Sequence, residues 1–344
     1  MRKIIIMGEP YHGNIGDQAI YYAEEKFIKK YFPDFEYHHV HEEKLDTCVK
    51  KLKDTISPDD IIMIHGGGNL GNIYARPERG RREVIKTFPN NKIILFPETA
   101  YFTPDEEGKK ELQISKEIYN NHKKLVIMAR ERLSYEFIKS NFTSAKVYLT
   151  PDIVMTLHLK SNYNREEALV LFRGDKESVL SKETKDKVLD AINENYSKSY
   201  VTDMNLETIN KESKKELQKK FAKYGLFKNS IEDDIYTVGG KLREEILNYK
   251  FDEFKKAEIV ITDRLHGMIF SAITETPCIV FKSLDNKISE SYKEWLHKFN
   301  YIKFTDNPSS VNNLISELKS LKHVEYNNEF AVNSILKVLQ EEIK

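Results

Sequence analysis

The chain has 344 residues, more than a single domain of roughly 100–200 residues holds, so two domains are expected. Apolar residues make up 40% and charged residues 31%, which excludes a wholly disordered chain. The 54 basic and 54 acidic side chains cancel, so no global field recruits nucleic acid or an anionic membrane.

Ile4 to Met7, bounded by Met1-Arg2-Lys3 and Gly8, is too short for a signal peptide, and its unbroken apolarity reads as a buried strand of a parallel sheet. A turn from Gly8 to Gly16 precedes a helix predicted from about Asp17 to Tyr31, where Ile20, Ala23, Phe27, Ile28 and Tyr31 recur at three- and four-residue spacings and Glu24, Glu25, Lys29 and Lys30 take the wet side. Further strands are predicted at Ile61 to Ile64, Lys92 to Phe96, Leu125 to Met128 and Lys146 to Leu149, with right-handed crossovers between them. The polar stretch Lys160 to Glu167 marks a boundary. Ala168 to Phe172 opens a second sheet, followed by a helix from Lys182 to Asn195. Residues 205–225, rich in lysine and glutamate around Leu217 and Phe221, read as a solvated helix. Strands at Ile259 to Ile261 and Cys278 to Phe281 flank a turn and helix start at Thr262 to Gly267. A helix carrying Val311, Leu314, Ile315 and Leu318 comes next. The expected division is 1–162, 163–325 and a terminal helix, 326–344, that could pack across the domains.

No apolar run reaches the roughly 20 residues of a membrane span, so a cytoplasmic protein without an integral span is expected. Cys48 and Cys278 are too few for a disulfide scaffold and read as packing residues. His12, His38, His39, His41 and His65 form no recognised ligand spacing, so no metal is expected. His38, His39 and His41 read as structural or surface residues of a loop or strand. Oligomeric state is open.

The loops after the strands carry the chemistry. In His12-Gly13-Asn14-Ile15-Gly16-Asp17, Asn14 can organise the turn, and Asp17 can cap the helix or hold a sugar hydroxyl. Gly8, Gly13 and Gly16 do not match Gly-x-Gly-x-x-Gly, and no nicotinamide cofactor follows. Gly66-Gly67-Gly68-Asn69 offers close ligand access or a tight structural turn, without the Lys-Ser or Lys-Thr of a nucleotide-binding P-loop. Pro97-Glu98-Thr99 would end a strand and either aim Glu98 into a cleft or cap a helix. Arg130 and Arg132 offer guanidiniums to phosphate or carboxylate, or pair on the surface. Asp152 and Arg173-Gly174-Asp175 again place polar groups after strands. Such repetition favours an active-site rim.

Asp263-Arg264-Leu265-His266-Gly267 is the most informative segment. Asp263 can cap the following helix, Arg264 can bind an anion, and His266 can exchange a proton near neutral pH. Leu265 reads as packing, and Gly267 relieves crowding at the helix start. Arg264 and His266 would reach one pocket only at a turn-to-helix transition. A structural network is the alternative.

The ordered set Gly13 to Asp17, Gly66 to Asn69, Ala129-Arg130-Glu131 with Ser134, Pro151-Asp152, Asp263 to Gly267 and Pro277 resembles the polysaccharide pyruvyl transferase family. The resemblance implies two Rossmann-like α/β domains facing a cleft, glycosyltransferase-B-like. It implies transfer of a pyruvyl group from phosphoenolpyruvate, as donor substrate without a cofactor, to two hydroxyls of a sugar or lipid-linked glycan acceptor. Transient association with the inner membrane face is compatible with the latter. The implied roles make His266 the leading proton-transfer residue, with Asp17 or Asp263 orienting or deprotonating a hydroxyl. Arg264 becomes the donor ligand, with Arg173 and Arg130 as further donors. Asn14, Gly16, Gly67, Gly68, Asn69, Glu98, Asp152 and Gly267 are cleft candidates. Glu98 departs from the family pattern, where many members carry glutamine, and bears on acceptor recognition. A nucleotide-sugar glycosyltransferase and a noncatalytic carbohydrate-binding or assembly protein remain as alternatives.

Overall fold

The computed structural model describes residues 1–174, 178–206, 215, 219 and 240–343, the side chains of 46–48, 240 and 241 excepted. The chain divides into two units. The first comprises Met1–Tyr11, Ile20–Thr156 and Glu329–Lys344, and the second His12–Ala19 and Leu157–Asn328.

In the first unit, β1 (Lys3–Glu9), β2 (Glu36–His41), β3 (Ile61–Ile64), β4 (Gly67–Gly71), β5 (Lys92–Tyr101), β6 (Leu125–Ala129) and β7 (Lys146–Leu149) are all parallel. Their order is β2-β1-β3-β5-β6-β7, and β4 pairs with β5 beyond the end of β3. Ile5, Met7, Ile62, Ile64, Ile93 and Leu95 pack with Val49 of α2 (Leu45–Leu52), Val84 and Ile85 of α3 (Ala75–Thr87), Tyr119 of α4 (Glu106–Asn121) and Ile138 of α5 (Arg132–Asn141). The alternate residues Ile4, Ile6, Met63, Ile94 and Met128 are fully buried too, on the other face. Burial on both faces is why these strands read as unbroken apolar runs.

The second unit's sheet is also all parallel. It contains β8 (Glu167–Leu171), β9 (Ser199–Thr202), β10 (Ala257–Thr262), β11 (Cys278–Val280) and β12 (Ile302–Phe304) in the order β12-β11-β10-β8-β9. Five helices accompany it among the described residues: α6 (Lys182–Asn195), α7 (Gly240–Lys256), α8 (Leu265–Ile273), α9 (Lys287–Ser291) and α10 (Val311–Lys319). In each unit the second strand lies outside the first and the third on its inner side. Chain order therefore reverses between first and third strands, and the carboxyl ends of that pair are where open α/β sheets take ligands.

Several expectations are revised. Pro97 does not end β5, because a register shift between Leu95 and Glu98 absorbs the missing N–H, and the strand continues to Tyr101. The glycine run is strand β4 rather than a turn. The short strands β2, β9 and β12 were not expected at their positions, apart from a strand being one option for His38 to His41. Cys278 is buried in β11. The side chain of Cys48, together with Asp175, Leu217 and Phe221 and most of the helix expected over 205–225, lies outside the described residues. No helix among the described residues is long and apolar enough to cross a membrane.

The terminal α11 (Glu329–Glu342) belongs to the first unit, and its Glu342 is tied to the sheet. Lys92 Nζ and Lys146 Nζ reach its carboxylate at 2.5 and 2.8 Å, and the Tyr148 hydroxyl donates at 2.7 Å. Burial works to raise the Glu342 pKa, but these donors outweigh it and bring it down to about 2. A depressed carboxyl pKa contributes stability that is present above the ordinary carboxylate range and lost as pH falls through about 2. Glu342→Gln should therefore lose about 1–2 kcal/mol at pH 7, a modest value because water screens the largely exposed Lys146. The gap should close as pH approaches 2, as read by denaturant unfolding of both proteins.

Candidate functional site

In the second unit, β8 and β10 are the adjacent strands at the reversal, and Asp263 follows β10 directly. Its Oδ1 accepts the backbone N–H of Arg173 at 2.7 Å, so one carboxylate joins the two strand ends. Burial pushes the Asp263 pKa up, opposed by the Arg173 amide and the charges of Lys185, Arg264 and Arg173. Asp263 does not cap the helix. The N-cap of α8 is Arg264, whose own N–H goes to Thr262 Oγ1 at 3.0 Å, and Gly267 packs against that threonine side chain. Arg173 is buried, and its carbonyl accepts from Lys185 Nζ at 2.7 Å.

From Ala257 to Thr276 only Glu258, Arg264 and His266 keep appreciable exposure, and the last two open α8. The turn-to-helix transition thus leaves both at the surface while Leu265 between them is buried. The Arg264 guanidinium forks onto Asp203, Nε to Oδ1 at 2.6 Å and Nη2 to Oδ2 at 2.5 Å. Asp203 directly follows β9, a strand too short and polar to be expected, and so was missed as a site residue.

His12 to Ala19 pair with the same region. Ile15 N donates to the Met204 carbonyl and Leu206 N to the Gly13 carbonyl, both at 2.9 Å. Asn14 Oδ1 accepts from Gly16 N at 2.9 Å and Asp17 N at 3.4 Å, so Asn14, not Asp17, caps α1 (Ile15–Tyr31). Asp17 sits in the first turn with His12 Nε2 3.6 Å from its Oδ2. Gly16 faces the His266 ring, and a Cβ there would lie 2.8 Å from His266 Cγ and nearer still to Nδ1. The structure therefore brings Asn14, Gly16, Asp17, Arg173, Asp263, Arg264, His266 and Gly267 into one unit, with Asp203 added.

The first unit holds the remaining candidates. Arg130 is buried, with Nε on Thr99 Oγ1 and Nη1 on Asp152 Oδ2, both at 2.8 Å, and Gly68 lies beside its Nη2. This is an interior ion pair rather than a surface one. Gly67 pairs with Glu98 between β4 and β5. Glu98 is fully buried, its Oε1 accepting from Arg81 Nη2 at 2.6 Å, while the Asn69 Oδ1 takes the same Arg81 nitrogen at 2.5 Å. Burial raises Glu98 to about 7 against the pull of Arg81, Arg130 and His65. At the end of β3, His65 Nδ1 lies 2.9 Å from Glu24 Oε2, and Gly66 N donates to Glu24 Oε1 at 2.9 Å. Glu24 occupies a helical position that sequence periodicity assigned to the wet face, and it is fully buried.

Two predictions follow from this geometry. Gly16→Ala should destabilise the fold by about 1–3 kcal/mol through overpacking against His266. Adding His266→Ala should recover most of that loss, which a double-mutant cycle by thermal and denaturant unfolding would read. A raised carboxyl pKa gives stability present below the ordinary carboxylate value and lost as pH rises through about 7, so wild type should lose up to about 3 kcal/mol relative to Glu98→Gln across that window. Parallel stability curves for the two proteins would refute this.

A family model described as polysaccharide pyruvyl transferase matches residues 14–286. General stress protein 30 of Bacillus subtilis is 36% identical over 306 residues, covering 89% of this chain and 81% of that one. Pyruvyl transferase 1 of Schizosaccharomyces pombe is 27% identical over 308 residues, covering 86% and 70% respectively. Among solved structures, a Klebsiella pneumoniae protein aligns with TM-score 0.55 at 18% identity, over 88% of this chain and 92% of its own. The UDP-GlcNAc 2-epimerase of Methanocaldococcus jannaschii aligns with TM-score 0.53 at 12% identity, over 99% and 100%. These two share the fold of paired Rossmann-like units.

Proposed function

The chain belongs to the polysaccharide pyruvyl transferase family, and from that premise we propose that it transfers the pyruvyl group of phosphoenolpyruvate to two hydroxyls of a sugar, with Arg264 and His266 carrying the chemistry. The observation that supports these residues is their place: they are partly exposed side chains opening α8 at the strand-order reversal of the second unit. The acceptor is a polysaccharide or a lipid-linked precursor of one.

Arg264 anchors an anionic group of the donor, and the N-terminal amides of α8 add positive potential. Asp203 fixes the guanidinium plane through two hydrogen bonds and is a positioning residue. Asp263, which holds the backbone of Arg173, acts in the same way on the loop after β8.

Protonation of the methylene carbon of phosphoenolpyruvate makes C2 electrophilic, and the first acceptor hydroxyl adds there with loss of its proton. Cleavage of the C2–O bond releases phosphate. The second hydroxyl then adds to C2, loses its proton and closes the ketal. His266 is the group that exchanges these protons, and Asp17 in the same unit orients a hydroxyl. The two hydroxyl protons balance the one gained by the methyl carbon and the one carried off by phosphate. No redox step arises.

Incubating the protein with phosphoenolpyruvate and a panel of sugar acceptors should release phosphate together with an acceptor mass increase matching a ketal. Turnover of a nucleotide sugar with no ketal product would overturn the reaction class. Arg264→Ala should raise KM for phosphoenolpyruvate by about 10–100-fold, and His266→Ala should lower kcat by about 100–10,000-fold. Asp203→Asn should raise the donor KM with a smaller change in kcat. Wild-type kinetics in the Arg264 and His266 variants would refute those roles.

A further inference from the structure

Two histidines on β2 and one glutamate on β1 converge at the carboxyl edge of the first unit's sheet. Within β2, His39 and His41 are two residues apart and project from the same face. Ile6 pairs with His39 and Met7 with Val40, but the next pair is Glu9 with His41, so one extra residue enters β1 at Gly8. Gly8 takes φ +98°, a left-handed conformation that side chains disfavour, and the bulge it forms brings Glu9 opposite His41.

The result is a three-donor cluster around one carboxylate oxygen. Glu9 Oε2 lies 3.0 Å from His41 Nδ1 and 3.4 Å from His39 Nε2, and the three ligand atoms all fall within 4.8 Å of one another. A zinc ion bound through bonds of roughly 2.0–2.1 Å in tetrahedral geometry keeps its ligand atoms about 3.3 Å apart. The two separations from the Glu9 oxygen match that spacing, and the third lies within 4.8 Å. Glu9 is buried, while the His39 and His41 side chains are 46% and 23% exposed, which leaves an ion a path from solvent. The rings of Tyr21, Tyr37 and His41 lie 6.5, 6.2 and 5.5 Å from that of His39 and limit its orientations.

We propose that Glu9, His39 and His41 form a binding site for a divalent transition-metal ion of the zinc class, with a remaining coordination position open to solvent. Two imidazoles and a carboxylate suit zinc, cobalt or nickel rather than magnesium or calcium, which favour all-oxygen shells. Binding does not depend on pyruvyl transfer and is measured without donor or acceptor.

The test uses the full chain stripped of metal by a chelator and titrated with zinc by calorimetry, then with cobalt by visible absorption. Wild type should bind one zinc per chain saturably, and cobalt should give the intense visible bands of low coordination number. His39→Ala and His41→Ala should each weaken zinc binding by at least about 10–100-fold, and Glu9→Gln should do the same. His38→Ala, whose ring instead meets Glu36 at 2.8 Å, should bind as wild type. Absence of saturable binding by wild type, or undiminished binding by the His39 and His41 variants, overturns the proposal. His39 is half exposed, so its variant keeps the test decisive should Glu9→Gln fail to fold.

Discussion

The candidate site rests on one hydrogen bond, from the Arg173 backbone N–H to the Asp263 carboxylate. β8 and β10 are neighbours whose connections run to opposite sides of the sheet, so their carboxyl ends would otherwise part into separate loops. A buried carboxylate that takes an amide from the other strand's exit fixes both loops at once. Desolvation makes this group costly to ionise, and the amide and surrounding cations recover part of that cost. Because Asp263 is engaged there, the cap position of α8 passes to Arg264, and the helix starts with His266 in its first turn.

That displacement by one residue leaves two neighbouring polar side chains partly exposed. Within a regular helix Arg264 and His266 would diverge by about 200° at 100° per residue. With Arg264 in extended conformation at the N-cap, the constraint no longer applies, and Leu265 alone turns into the core. Asp203 then holds the arginine fork, and Gly16 leaves room for the imidazole. Each supporting residue comes from a different segment, which makes the pair sensitive to the second unit's whole carboxyl edge.

Much of this was legible in the sequence, for physical reasons. Strands buried on both faces, such as Ile61–Ile64 and Leu125–Ala129, announce themselves as unbroken apolar runs, and the exits of β1, β3, β8 and β10 could be read from them. Asp203 was not legible, because β9 is a four-residue edge strand without an apolar run. Glu24 failed differently: helical periodicity assigned it to water, whereas the end of β3 supplies His65 and the Gly66 amide to satisfy it indoors. In α3 the buried Glu78 likewise accepts from Arg81, Arg82, Ser115 and Tyr119. Pattern rules count charges as wet unless paired, and the pairing is supplied by residues distant in sequence.

The same limitation explains why histidine spacing suggested no metal. His39 and His41 alone are an ordinary alternation on a half-exposed edge strand, and Glu9 is 30 residues from the first of them. Only the register of β1 against β2, shifted at Gly8, places the carboxylate between the rings. The two units thus use one winding for different ends. At the reversal of the second, a buried carboxylate organises backbone beside a partly exposed arginine and histidine. In the first, the edge pair beside the reversal gathers imidazoles onto a buried carboxylate, a donor set better suited to a cation than to an anion.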